Sequence, residues 1–291
     1  MNAFLNYVQS WQRLYDEGAR LPSPSPVSRP TPSAADTGPT ALIFSPHPDD
    51  ECIIGGLPLR LRKEAGWRVI NIAVTLGSQP DRRSGRLAEL TTACKVLGFG
   101  LEIANGKGLE SVRMETRRTH PHHWTHAVNT IGEILLRHRP SAIFFPHSTD
   151  AHPTHMGVHA LVRHALHRSG DRLECLTFET EFWSPQEQPN LLAASTADDL
   201  ATLIEALACH TGEIARNPYH RRLPAWFMDN VRRGAELVGG HGGAAPEFPF
   251  GTLYAMRLWR ANRLHDILPE GAFLSASADL PAFIHGLWKP V

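Results

Sequence analysis

The sequence predicts a Rossmann-like α/β fold, with a mostly parallel sheet covered by helices on both faces. Short apolar runs rich in β-branched and aromatic residues alternate with segments of helical periodicity. The runs are almost continuously apolar, as strands buried on both faces are. The helical segments between them have the length that a crossover between parallel strands needs.

The elements follow in a regular order along the chain. Ala3 to Tyr15 has helically spaced apolar residues and is expected to lie as an amphipathic helix on another surface. Leu21 to Thr40 is rich in Pro, Ser and Thr and is predicted to be an extended strap. The predicted strands are 40–45, 67–75, 101–104, 141–146 and 173–183, and the predicted helices between them are 51–65, 84–97, 124–137 and 156–167.

Composition limits the class of protein. The 29 Lys and Arg residues balance 29 Asp and Glu residues, so neither nucleic acid nor an anionic membrane surface is an expected partner. No apolar run approaches the ~18 residues of a membrane span, and no signal peptide is expected. The four cysteines are scattered without a CxxC pair, which favours buried free thiols in a reducing, cytoplasmic compartment.

Two polar clusters lie where predicted strands end. His47, Asp49 and Asp50 follow the first strand, and Pro48 suits a first helical turn, where the helix dipole favours ionised carboxylates. The second cluster, His147 to His159, follows the fourth strand. In the usual strand order 3-2-1-4-5, strands 1 and 4 are neighbours at the switch point, so the two clusters are expected to share one crevice.

The second cluster also opens a helix. Pro153 suits the first helical position, and the dipole there disfavours a charged imidazole, so His155 is expected to stay neutral and able to coordinate a metal. His159, four residues on, shares its helix face. Two His and one Asp with an open position for water form a ligand set that a catalytic Zn²⁺ accepts.

These residues carry a family resemblance. Residues 45–51 resemble the (A/S)-H-P-D-D-E signature of the LmbE-like, or PIG-L, zinc-dependent N-deacetylases, and residues 152–159 resemble the H-P-D-H-x-x-x-H element of that family. Weaker similarities, including Arg86–Glu89 and Ala206–His210, extend the resemblance over about residues 41–257. The resemblance implies the LmbE-like deacetylase fold, with a catalytic domain over 40–260. The helix and strap over 1–39 and an extension over 261–291 lie outside the matched region.

The resemblance also implies roles for single residues. His47, Asp50 and His155 would bind zinc or another divalent metal, Asp49 would be the general base, and His152 would stabilise the oxyanion or protonate the leaving amine. The implied reaction removes the N-acetyl group from an amino sugar or its conjugate, of the N-acetylglucosamine type, and releases acetate and a free amine. A homo-oligomer is a further expectation.

Substrate contacts and supporting residues are less fully specified. Arg86 matches a family position that contacts substrate, and Trp183 and Glu179 at the end of strand 5 are candidate contacts, Trp183 by stacking on a sugar ring. Thr154 replaces the usual Asp of H-P-D-H, so the carboxylate that would orient His152 is missing there. Asp150 is the candidate replacement, and Asp150, Thr154 and His159 are expected to support the site from behind.

Three alternatives remain open at this point. An amidase acting on a non-sugar acylamine would use the same chemistry. A non-catalytic sugar-binding or metal-binding module would bind its ligand without turnover. A dinucleotide-binding oxidoreductase is disfavoured, because no G-x-G-x-x-G follows the first strand, where that chemistry needs the backbone to approach a pyrophosphate.

Overall fold

The apolar runs of the sequence form one mixed sheet in the computed structural model, which describes residues 2–22, 24 and 38–288. Nine strands of these residues are β1 Thr40–Ser45, β2 Arg68–Ala73, β3 Gly100–Ile103, β4 Ala142–Pro146, β5 Cys175–Thr180, β6 Leu191–Ala194, β7 Gly251–Arg260, β8 Arg263–His265 and β9 Ala272–Leu274. The strand order is β3-β2-β1-β4-β5-β7-β6-β9, and β8 pairs with β7.

The predicted order of the first five strands is confirmed. β3, β2, β1, β4 and β5 are adjacent and parallel. β1 lies between β2 and β4, so its carboxyl end and that of β4 meet at the same edge of the sheet. Every residue of β1 and of β4 is buried, as expected for strands covered on both faces. The α/β fold class is therefore confirmed.

Helices cover both faces of this sheet. The described helices are α1 Ala3–Glu17, α2 Asp50–Ile53, α3 Gly56–Ala65, α4 Arg83–Leu97, α5 Met114–Thr119, α6 Pro121–His138, α7 Pro153–Ser169, α8 Ala197–Ala208, α9 Thr211–Arg216, α10 Tyr219–Leu237 and α11 Leu280–Gly286. One apolar layer contains Leu57, Leu90 and Leu203 of α3, α4 and α8. The layer on the other face contains Ile131 of α6 and Leu161 of α7.

The helix predicted over residues 51–65 is interrupted. α2 ends at Ile53, and Gly55 has a φ of 90° before α3 begins at Gly56. A Cβ atom on Gly55 would lie 2.0 Å from the Thr252 Cγ2 atom, so both the backbone angle and the packing require glycine. This break separates the short helix that carries the first polar cluster from the longer helix that packs on the sheet.

The carboxyl-terminal half extends the same sheet with strands that are not predicted from the sequence. β7 pairs antiparallel with β5 and with β6. The segment 261–291, predicted as an extension, contributes β8, β9 and α11. Leu274, Leu280 and Ile284 from this segment join the core layer around α3 and α8.

The amino-terminal helix forms as predicted, but it has no buried residue. Asn2 caps it, and its apolar side chains are exposed, with Phe4 at 85% exposure. It contacts the body through Arg221, whose guanidinium stacks on the Tyr15 ring and donates to the Tyr15 carbonyl oxygen at 2.7 Å. The expected surface beneath its apolar face is absent from the described residues. The predicted strap over Leu21–Thr40 lies largely outside them.

Two other expectations concern the whole chain. No helix within the described ranges has both the length and the apolar character required to span a bilayer. All four cysteines are buried and free, as predicted.

Candidate active site

A cavity of about 940 Å³ opens at the edge of the sheet where β1 and β4 end. Its walls come from the segments that follow each of the strands β1 to β5 and from helices α4, α5, α9 and α10. Parallel strands of this topology bind ligands at the carboxyl ends of their strands, at the switch point of the strand order. The predicted crevice is therefore present, and both polar clusters contribute to it.

Three predicted metal ligands converge on one point at the floor of this cavity. The Nδ1 atom of His47 lies 3.2 Å from the Nε2 atom of His155. The Oδ2 atom of Asp50 lies 3.5 Å from His47 Nδ1 and 3.4 Å from His155 Nε2. Three donor atoms from two distant segments thus form a nearly equilateral triangle.

The size of this triangle fits a small divalent ion. Bonds of about 2.0–2.1 Å in a tetrahedral arrangement separate neighbouring ligand atoms by about 3.3 Å. The three observed separations bracket this value. His152 also offers a nitrogen within 4.8 Å of the ligand atoms of His47 and His155. The tighter set, with Asp50, is the one that the sequence predicts.

The side chains of Asp49 and Asp50, where the loop after β1 meets α2, point in different directions. Asp50 turns back, and its Oδ2 atom accepts a hydrogen bond from the His47 backbone N–H at 2.8 Å. Asp49 has a φ of 113°, a left-handed conformation that is costly for a residue other than glycine. The two adjacent carboxylates therefore differ in backbone geometry as well as in position.

Their electrostatic environments differ too. Burial, followed by the charge of Asp50, raises the pKa of Asp49 well above its ordinary value, and Arg86 offsets part of this rise. Burial alone would also raise the pKa of Asp50, but His155 and His47 outweigh it and lower that pKa. Neighbouring carboxylates with pKa values pushed apart suit separate duties, one as a permanent anion and one as a proton carrier.

His155 is completely buried and is flanked by two carboxylates. Its Nε2 atom faces Asp50, and its Nδ1 atom lies 3.6 Å from Asp150 Oδ2. Burial alone would lower the pKa of His155, but Asp50 and Asp150 raise it overall, opposite to the direction expected from the helix dipole. A carboxylate behind a histidine is the usual support for a metal ligand. Asp150 was predicted to orient the ring of His152, but its side chain faces the ring of His155.

Asp150 also organises the backbone around the site. Its Oδ1 atom accepts the His152 backbone N–H at 2.8 Å, and its Oδ2 atom accepts the Trp183 backbone N–H at 3.1 Å. One buried carboxylate thus connects the start of α7 with the segment after β5. Its contact with His152 is to the backbone only.

His152 caps the amino end of α7. Its Nδ1 atom accepts the Thr154 backbone N–H at 3.2 Å, which leaves the proton of the neutral ring on Nε2. Burial, followed by His47 and His155, lowers the pKa of His152 to about 4. The ring of Trp183 lies 6.2 Å from that of His152, nearly parallel to it, and Trp183 is 53% exposed. His152 and Trp183 therefore present adjoining faces to the cavity.

Arg86 lies between Asp49, the candidate base, and Glu213 of α9. Its Nη2 atom donates to the Pro48 carbonyl oxygen at 2.8 Å and lies 3.8 Å from Asp49 Oδ1. The same atom lies 3.7 Å from Glu213 Oε1. Both Arg86 and Glu213 line the cavity. Arg86 thus lies where substrate contact was expected, but its nearest partners are protein groups.

Four of the predicted residues lie outside the cavity lining: the buried His155 and Asp150, described above, and Glu179 and His159. Glu179 faces Arg257 at 4.0 Å, so its expected contact with substrate has no structural support. His159 donates from Nδ1 to the Pro146 carbonyl oxygen at 3.0 Å in the tautomer that this contact favours, and it supports the end of β4. Its expected support of the site is indirect.

Several lining residues are not predicted from the sequence. They include Arg82, Glu213, Arg216, Tyr219 and Trp226. Arg216 donates to Glu213 Oε2 at 2.6 Å, and Arg82 lies 3.4 Å from Glu213 Oε1. The sequence signal for these residues is weak because none belongs to a recognisable motif: Arg82 directly precedes α4, and the other four lie in α9 and α10.

Comparison with known proteins agrees with this architecture. Residues 42–166 match the family model described as PIG-L, GlcNAc-PI de-N-acetylase. No curated protein matches the chain in a sequence search.

Solved structures share the fold at low identity. The conserved protein TT1542 from Thermus thermophilus is 19% identical, with 74% of this chain and 93% of that chain covered and a TM-score of 0.55. The 4-carboxy-2-hydroxymuconate hydratase GalB from Pseudomonas putida KT2440 is 14% identical, with 75% and 95% covered and a TM-score of 0.57. The N,N'-diacetylchitobiose deacetylase from Pyrococcus horikoshii is 14% identical, with 88% and 93% covered and a TM-score of 0.54.

The fold and the site define a Rossmann-like α/β protein with a candidate metal centre at the switch point of its sheet. The family model that residues 42–166 match is that of the PIG-L, or LmbE-like, family that the resemblance predicted. A hydratase and a deacetylase share this fold, so the activity has to be argued from the side chains of the site.

Proposed function

We propose that the protein is a metal-dependent N-deacetylase that acts on an N-acetylated amino sugar or its conjugate and releases acetate and a free amine. The observation that carries this proposal is the triangle of His47 Nδ1, Asp50 Oδ2 and His155 Nε2 beside the buried carboxylate of Asp49. Zn²⁺ is the proposed ion, with another divalent cation as the alternative.

His47, Asp50 and His155 would hold the ion. When bound, a zinc ion lowers the pKa of a coordinated water and polarises a carbonyl oxygen. Asp150 would fix the ring of His155 from behind, because its Oδ2 atom faces the ring nitrogen that points away from the ligand triangle. The triangle leaves one side open to the cavity, where an amide substrate enters.

Asp49 would accept the proton of the attacking water. Its carboxylate adjoins Asp50 and lines the cavity, and Arg86 holds its Oδ1 side at 3.8 Å. A positioned carboxylate with a raised pKa is a better proton acceptor than an ordinary one, because its driving force for proton transfer is larger. The proton taken from water is then available for the leaving nitrogen.

His152 would act on the other side of the scissile bond. Its Nε2–H is free to donate because Nδ1 already accepts the Thr154 N–H. A fixed donor at this position stabilises the negative charge that develops on the carbonyl oxygen during attack. It also lies close enough to the His47 ring, at a centroid separation of 4.9 Å, to act at the same centre.

The sugar part of the proposal rests on the pocket and on the family. A cavity of about 940 Å³ lies near the upper end of the usual range for small-molecule sites, which leaves room for a conjugate beyond a single sugar ring. Trp183 offers an exposed aromatic face at the rim, as sugar-binding sites do. The matched family is named for a GlcNAc-PI de-N-acetylase, and one protein of the same fold deacetylates N,N'-diacetylchitobiose.

The test is release of free amine and acetate from a panel of N-acetylated sugars and plain acylamines, with and without a chelator. The proposal expects turnover of N-acetylglucosamine-type substrates that the chelator abolishes and added Zn²⁺ restores. Equal or greater turnover of plain acylamines would favour the amidase alternative. Metal binding without turnover of any substrate would favour a non-catalytic binding module.

A further inference from the structure

Two ionisable side chains form a pair in the core next to Asp49, the candidate base. Glu51 and His210 are both completely buried, and His210 Nε2 lies 2.7 Å from Glu51 Oε1. They are 159 residues apart in the sequence. Buried ionisable groups are costly unless they are paired, so a pair at this depth calls for an explanation.

The two oxygens of Glu51 have different partners. Oε1 accepts from His210 Nε2 at 2.7 Å and from the Cys52 thiol at 3.2 Å. Oε2 accepts the backbone N–H of Asp49 at 3.0 Å. The carboxylate therefore connects His210 to the main chain of the candidate base.

These contacts differ from those of the ligand triangle. Glu51, Cys52 and His210 each offer a possible metal-ligand atom, and these three atoms lie within 4.8 Å of one another. However, the 2.7 Å separation of Glu51 Oε1 from His210 Nε2 is a hydrogen-bond distance, shorter than the roughly 3.3 Å between ligands of a tetrahedral ion. The cluster is a hydrogen-bonded support.

The support acts at a strained residue. Asp49 has a φ of 113°, and such a conformation persists only where the surrounding structure fixes it. The hydrogen bond from its N–H to Glu51 Oε2 is a direct restraint on that conformation. Loss of the restraint would let the peptide relax and move the Asp49 carboxylate.

The segment that begins at His210 reaches Asp49 from a second side. His210 precedes α9, and Glu213 in α9 lies 3.7 Å from Arg86 Nη2. The same Arg86 atom lies 3.8 Å from Asp49 Oδ1. The segment 210–213 is thus linked to Asp49 in two ways. Glu51 connects His210 to the Asp49 backbone N–H, and Arg86 lies between Glu213 and the Asp49 carboxylate.

We propose that Glu51 and His210 are positioning residues that fix Asp49 in its strained, catalytically oriented conformation. The inference rests on the proposed role of Asp49 as general base. It assigns a function to the buried glutamate of the first cluster and to a histidine far along the chain, neither of which lines the cavity.

The test combines His210→Leu with Asp49→Asn in a double-mutant cycle. His210→Leu removes the donor to Glu51, so kcat is expected to fall about 10- to 100-fold, as small misplacements of catalytic groups do. KM and metal content are expected to stay within about twofold of wild type, because the ligands and the cavity wall are retained. In the Asp49→Asn background, His210→Leu should cause no further loss of kcat, since a positioned base is no longer present.

A matched control separates positioning from general destabilisation. Asn230 is also buried, and its side chain donates to the Gly251 carbonyl oxygen, outside the cavity lining. Asn230→Leu should lower the melting temperature while leaving kcat unchanged at temperatures well below it. A loss of kcat in His210→Leu that persists undiminished in the Asp49→Asn background would overturn the proposal, as would an unchanged kcat.

Glu51→Met provides the same test if His210→Leu does not fold. The Met thioether is at most a weak hydrogen-bond acceptor, so neither the Asp49 N–H nor His210 keeps its bond to residue 51, and kcat should also fall at constant metal content. Wild-type kcat in a folded Glu51→Met variant would overturn the proposal. If wild-type protein deacetylates no substrate, or if Asp49→Asn retains full activity, the proposed function itself fails, which is a separate result.

Discussion

His47 Nδ1 and His155 Nε2 lie 3.2 Å apart although 108 residues separate them in the sequence. The separation is small because β1 and β4 are adjacent and parallel, and each histidine belongs to the segment that follows one of these strands. Two ring nitrogens at this distance, with Asp50 Oδ2 within 3.5 Å of both, form the ligand set on which the proposed chemistry depends.

The first prediction concerns metal content. His155→Ala removes one corner of the triangle, so the protein is expected to lose its bound ion, about one per chain, together with its deacetylase activity. Elemental analysis after dialysis measures the ion directly. His164→Ala is the matched control on the same helix. His164 accepts a hydrogen bond from the Trp124 indole N–H and lies outside the cavity lining. Retention of a full equivalent of metal in His155→Ala would contradict the ligand assignment.

The second prediction separates the adjacent carboxylates. Asp49→Asn is expected to keep the ion and to lower kcat by about 10²- to 10⁴-fold, the usual contribution of a general base. Asp50→Asn, the same chemical change one residue later, is expected to weaken metal binding, because it removes a charged ligand. Parallel measurement of kcat and metal content in both variants distinguishes the two roles. Loss of metal in Asp49→Asn would instead make Asp49 a ligand.

The third prediction concerns the donor at His152. His152→Ala is expected to lower kcat by about 10²- to 10³-fold at unchanged metal content, as loss of one oxyanion donor does. His152→Gln can present an N–H close to the position of Nε2, so it should recover part of this loss if the residue acts as a hydrogen-bond donor. A kcat within about threefold of wild type for His152→Ala would mean that His152 has no part in the chemical step.

The sequence predicts the first half of the fold well, for a physical reason. β1, β2, β4 and β5 are buried on both faces, so they appear as nearly continuous apolar runs. β6 and β9 have only four and three residues, too few for a period to be recognised. β9 pairs with β6, which is about eighty residues earlier in the chain. No local pattern contains that information.

The same contrast applies to the candidate site. His47, Asp49 and Asp50 lie within one short motif, and the strand order alone predicts that His155 will meet them. Glu213, by contrast, comes to the cavity from a helix without a recognisable motif. Its position depends on the packing of α8 against α2 and α4 and of α9 against α8, which a local pattern does not reveal.

The position of Glu179 shows how strand geometry limits such predictions. Successive side chains of a strand point to opposite faces of the sheet. Phe178 belongs to the core layer around α3 and α8, so Glu179 points to the other face, where Arg257 lies. Trp183 lies beyond the end of β5 and is free of this alternation, and it does line the cavity. Position near a strand end is therefore insufficient to assign a substrate contact.

The last prediction concerns stability rather than catalysis. Burial lowers the pKa of His159 from 6.5 to about 4, and its hydrogen bond to the Pro146 carbonyl oxygen offsets only part of this shift. As pH falls below 6.5, the unfolded chain therefore binds a proton at this residue that the folded chain does not bind. The stability associated with a neutral His159 is complete above pH 6.5 and is lost as pH falls toward about 4.

His159→Asn tests this dependence, because the Asn amide can still donate near the position of Nδ1 but does not titrate. The free energy of unfolding of wild type should fall more steeply than that of the variant between pH 6.5 and 4, by a total of up to about 3 kcal/mol. Denaturant titrations at several pH values measure this difference, in which the contributions of groups common to both proteins cancel. Parallel curves for wild type and His159→Asn would show that His159 is protonated equally in the folded and unfolded chains.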